Sequence, residues 1–146
     1  MSRHFTLWEA QDLLHEVAED LRRAVELKTE LDKVGEEMQG EARRVMLSGG
    51  ALVNRTRAAQ VRARQEALAS RLQNDIEGIH AKGCLVKDLD SGLLDFPTYY
   101  QGREVCLCWK LGEDVIQYWH EVEDGYRGRR LIDSEFLENH RGDPAH

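Results

Sequence analysis

At Lys82-Gly83 the apolar spacing of this chain changes from the three- and four-residue steps of a helix to the alternation of a strand. No single element spans such a change, so the chain divides there into a helical arm, residues 1–82, and a small β unit with its tail, residues 83–146. The two form one structural unit in this reading. Most of the aromatics and all three cysteines fall in the second part.

Thr6 followed by Glu9 is a capping box, with Phe5 before it as a staple. Leu7, Ala10, Leu14, Val17, Leu21, Ala24 and Leu31 then recur at helical steps. Lys28 interrupts this stripe, flanked by Leu27, Val34 and Met38, and the helix is expected from about Leu7 to Val45. Ser48-Gly49-Gly50 breaks it. A second helix is expected from about Ala51 to Ala81, with Val61, Leu68, Leu72, Ile76 and Ile79 as its apolar series. Two long helices joined by a short glycine turn make an antiparallel hairpin, coiled-coil-like in its charges.

Those charges are sorted. The first helix is acidic, from Glu9 and Asp12 through Glu36, Glu37 and Glu41, whereas Arg43, Arg44, Arg55, Arg57, Arg62, Arg64 and Arg71 make the tip and second helix basic. Pairing between the two helices, within one hairpin or between copies, is the expected use. No aromatic is interleaved for base stacking, so a nucleic-acid grip by the arginines is the weaker reading. The net charge of −7 points the same way.

After Gly83, strands are expected over Leu85–Asp90, Leu93–Phe96, Val105–Lys110 and Val115–Val122, with Pro97 ending the second or placing it at an edge. Ser91-Gly92 and Leu111–Asp114 supply turns. Asp133 or Ser134 caps a short helix ending near Asn139. The fold class is therefore α+β: a long antiparallel helical hairpin, a four-stranded antiparallel meander and a short C-terminal helix. The apolar stripes exceed what so small a sheet covers, so a homo-oligomer through the helices, dimer or tetramer, is expected.

FTLWEA, KDLDSGLLDFP, GREVCLCWKLGED, IQYWHE and GYRGR resemble the bacterial domain-of-unknown-function family 2203. The resemblance covers nearly the whole chain. It implies a helical segment followed by a small β unit and brings no activity with it. It places Asp95, Phe96, Pro97, Gly102, Arg103, Cys108, Trp109, Gly112, Glu113, Trp119, His120, Gly125 and Arg129 in the family pattern, but not Cys84 or Cys106.

Three sites are weighed. Cys84, Cys106, Cys108 and His120 contain zinc-binding side chains, but C-x-C on a strand is a weak zinc signal and buried free cysteines are common, so no metal or cofactor is expected. His120 with Asp95, Arg103, Cys108 and Glu113, walled by Trp109 and Trp119, is the candidate pocket, for a small molecule, an anion or thiol chemistry. Arg127, Arg129 and Arg130 in a glycine-rich loop are the candidate anion-binding group. The structural alternatives are a satisfied histidine, arginines paired to nearby acids and an aromatic core.

The leading expectation is a non-enzymatic homo-oligomeric interaction or scaffold protein, with an unknown protein or small-molecule partner at the β unit. A small enzyme or ligand-binding protein is the first alternative. A transcription-complex factor acting through the hairpin is the second, and the basic, apolar tip RRVMLSGGALVNR lacks the paired acids that it would need for magnesium. With no apolar span, no h-region near Met1 and an odd number of cysteines, the expected setting is cytoplasmic and the expected partners exclude membranes.

Overall fold

A computed structural model describes residues 3–51 and 53–144. Met1, Ser2, Ala145 and His146 lie outside the described residues, as does Leu52, which the sequence places in the second helix. The first helix, α1 (Leu7–Leu47), is entered through the expected capping box: Glu9 N donates to Thr6 Oγ1 at 3.2 Å and Thr6 N to Glu9 Oε1 at 2.9 Å. At 1.5 Å per residue α1 is about 60 Å long. The second helix, α2 (Arg55–Ala81), starts later than expected because Asn54 caps it, its side chain accepting from Arg57 N at 3.0 Å. Residues 48–51 form the turn instead.

The buried side of α1 changes partner along its length. Ala10, Leu14, Val17 and Leu21 face the sheet, in one core with Ile79 of α2. Ala24 and Leu27 then pack on Leu72 of α2. The stripe therefore continues through Leu27 and Val34, with Leu31 partly buried against the same cluster, and leaves Lys28 outside to pair with Asp32 at 2.8 Å. Beyond Val34, α1 contributes no residue to the buried core.

The sheet is antiparallel, with β1 (Leu85–Asp88), β2 (Leu93–Tyr100), β3 (Arg103–Lys110) and β4 (Tyr118–Glu121) as the expected meander. Two short strands extend it: β5 (Arg130–Leu131) beside β4, and β6 (His140–Arg141) beside the end of β2. The fourth strand is shorter than its alternation suggests. Ile116 leaves the ladder to dock on α1, donating its N–H to Gln11 Oε1 at 2.9 Å. The short helix α3 (Ser134–Asn139) is capped by Asp133.

β2 runs straight through Pro97. In a strand the N–H and C=O of one residue point to the same side. The Pro97 carbonyl accepts from Phe5 N at 2.7 Å, in the gap between β1 and β6, so the missing donor also falls on that open side. Proline breaks no ladder bond to β3 there. Gly83 allows this entry of the N-terminal segment. Its φ is +100°, and an added Cβ would lie 2.8 Å from Arg3 Cβ and 3.2 Å from Phe5 Cζ. Asp143 N closes the same edge by donating to the His4 carbonyl at 3.0 Å.

Candidate functional site

Alternation along the strands divides the sheet into two unlike faces. Leu94, Phe96, Tyr100, Val105, Leu107, Trp109 and Trp119 lie toward the helices and make the main core. The intervening positions carry Asp95 on β2, Cys106 and Cys108 on β3, and His120 on β4. Asp95 stands opposite Cys108, and Cys106 opposite His120. Residues 122–126 close over this outer face, and a cleft of about 190 Å³ remains, lined by Lys87, Asp95, Cys108, His120, Asp124 and Tyr126 among others.

The polar side chains beneath it are almost wholly buried, Asp95 and His120 at 2 % exposure. His120 Nε2 lies 3.0 Å from Asp95 Oδ1, and Nδ1 lies 2.6 Å from the Glu121 carbonyl. A carbonyl oxygen only accepts, so Nδ1 carries a proton. Burial opposes charging the ring, but the hydrogen bond to Asp95, helped by Cys108 and the Glu121 carbonyl, outweighs it and raises the pKa to about 10. In the unliganded protein the pair is an imidazolium donating to a carboxylate. Burial, with Asp95 nearby, pushes the Cys106 thiol up to about 12.

The remaining candidates of the sequence are placed elsewhere. Trp109 and Trp119 belong to the helix-side core: Trp109 Nε1 donates to the Glu113 carbonyl at 2.9 Å, and Trp119 stacks on Phe136. Arg103 lies at the far end of β3, half exposed, holding Glu121 at 2.8 and 2.5 Å. Glu113 and Arg129 pair with each other, at 2.6 and 2.8 Å, and the guanidinium lies 3.9 Å over the Tyr118 ring. Of the three loop arginines only Arg129 turns inward. Arg127 is exposed, and Arg130 lies over Trp119, its guanidinium 5.0 Å from the ring centroid.

Cys84 is in the helix-side core, its thiol on the Ile79 carbonyl at 3.5 Å, so the three cysteines do not assemble around His120. The residue that the sequence leaves outside the candidate pocket is Cys106. Its signal was present, since strand alternation puts it on the face of Cys108, but register alone sets it opposite His120.

At the other end of the molecule, a groove of about 290 Å³ opens between the distal parts of α1 and α2, lined by Met38, Ala42, Val45, Val53, Ala58 and Val61 among others. Met46 and Leu47 beside it are 80 % exposed. Arg57 pairs across the hairpin with Glu37 and Glu41 at 3.2 and 3.3 Å, and Arg64 with Glu30 and Glu37 at 3.8 and 3.7 Å. Arg55, Arg62 and Glu36 have no ion pair among the described residues.

No helix among the described residues is long and apolar enough to cross a membrane. No curated protein and no solved structure matches the chain. A family model described as "Uncharacterized conserved protein (DUF2203)" matches residues 3–132, which takes in both helices of the hairpin and the meander and stops before α3.

Proposed function

The chain belongs to the DUF2203 family, whose description carries no activity, and from that premise we propose that it is a non-enzymatic scaffold that pairs with a second copy of itself through the distal hairpin. The observation that supports this reading is the apolar seam beyond Val34, which α2 covers only in part: Met46 and Leu47 are at 80 % exposure beside the groove of Met38, Val45 and Val61. Charge complementarity favours a second copy as the occupant. Arg55, Arg62 and Glu36, which have no ion pair among the described residues, are charges of both signs available to a second hairpin. A stable pair buries more than about 1,000 Å² in total.

Sedimentation equilibrium at tens of micromolar tests it. A dimer or tetramer is expected, and Leu47→Glu, at an exposed position, should return the protein to monomer with its melting temperature little changed. A wild-type monomer overturns the reading. A second reading, a ligand site on the outer face of the sheet, is favoured by the buried Asp95–His120 pair beneath a cleft.

A further inference from the structure

Three different ligating side chains converge from three neighbouring strands: Asp95, Cys106 and His120, each at most 3 % exposed. One donor atom from each lies within 4.8 Å of the other two. We propose that this trio binds a divalent cation of the zinc class, with the fourth position of the ion open to the cleft.

Size fits. Bonds of about 2.0–2.2 Å to nitrogen and oxygen and about 2.3 Å to sulfur hold donor atoms roughly 3.3–3.7 Å apart around a tetrahedral ion. Nε2 and Oδ1 are 3.0 Å apart without one, so a small spreading of side chains admits it. Orientation fits as well. The Glu121 carbonyl holds the Nδ1 proton at 2.6 Å, which turns Nε2 toward the other two donors. That outer bond is the one metal-ligating histidines make. Charge is balanced, because a dication with one carboxylate and one thiolate is neutral and suits a buried place. Uptake releases the Nε2 and Sγ protons to solvent. Nitrogen, sulfur and oxygen together select zinc over magnesium or calcium, which take oxygen alone. Three protein ligands and a fourth position on the cleft side leave the ion room for an exchangeable ligand, unlike a closed structural site.

The proposal rests on the reading of this cleft as a ligand site and names the ligand; it does not depend on hairpin pairing. Reduced, chelator-stripped full-length protein is titrated with Co²⁺ and then with Zn²⁺. One equivalent of Co²⁺ should give a thiolate-to-cobalt charge-transfer band and tetrahedral ligand-field bands, both lost on adding Zn²⁺. Cys106→Ser should remove the charge-transfer band and weaken binding about tenfold or more, while Cys84→Ser should leave both unchanged. Absence of the band, or its survival in Cys106→Ser, overturns the proposal. Should Cys106→Ser fail to fold, X-ray absorption of the wild-type zinc protein decides: sulfur in the first shell supports the site, and nitrogen and oxygen alone overturn it. If stripped protein is stabilised by small organic anions yet takes up no metal, the cleft remains a ligand site and the metal assignment falls.

Discussion

His120 and His140 are both buried, yet their neighbours give them different proton counts. His140 Nε2 accepts from Leu7 N at 2.9 Å while Nδ1 faces the Phe136 and Leu137 carbonyls, so that ring is neutral and serves the start of α1. His120 faces a carboxylate and a carbonyl, so in metal-free protein it is cationic. Its pKa rises from 6.5 to about 10 on folding, so its contribution is fully present below pH 6.5 and is lost as pH rises toward 10. Stripped protein should therefore lose stability across that window, and ¹⁵N NMR at pH 8 should show both ring nitrogens protonated. A neutral ring at pH 8 would contradict the ion pair. Asp95→Asn, which strands the cation, should cost about 3–5 kcal/mol.

Two arginines separate on the same grounds. Arg103 is exposed enough that Arg103→Ala should cost no more than about 1 kcal/mol. The Arg129 side chain, 9 % exposed between Glu113 and Tyr118, should cost about 2–4 kcal/mol on truncation, because removal leaves a largely buried carboxylate. Urea denaturation of the two variants side by side checks the order. In the sequence the pair looks alike; only register and the returning loop distinguish them.

At the scale of elements, the hairpin was readable because its signals are local. The Thr6–Glu9 box, the apolar steps and the glycine turn each act within a few residues. Charge sorting was readable too, and Arg57 and Arg64 pair as expected. Reversing both to Glu should lower the melting temperature more at low salt than at high salt, since these are exposed pairs that salt screens. A salt-independent loss would place their effect in packing. The strands were less legible at their ends. Pro97 does not stop β2, and Val115–Gln117 leave β4, because each is decided by a partner far along the chain: Phe5 for one, Gln11 for the other. The switch of α1 from sheet to α2 near Ala24 was hidden for the same reason.

For the molecule as a whole, sequence alone separated arm from sheet but not inner face from outer face. Alternation says which residues share a face, and only the packed helices decide which face is core. Trp109 and Trp119 therefore went to the helix side and left Asp95, Cys106, Cys108 and His120 together on the other. The edge of β2 carries a further consequence, in the order of events during folding. Its hairpins with β3 and β1 close through short turns, but the rest of its outer side is filled by residue 5 and by residues 140–141, from the two ends of the chain. Closing the two long loops that bring in residue 5 and residues 140–141 is entropically slower than closing the hairpins. The β2–β3 ribbon is thus the early event, and the joining of the first and last strands of backbone around Pro97 is the late one, during which the sheet carries an open edge.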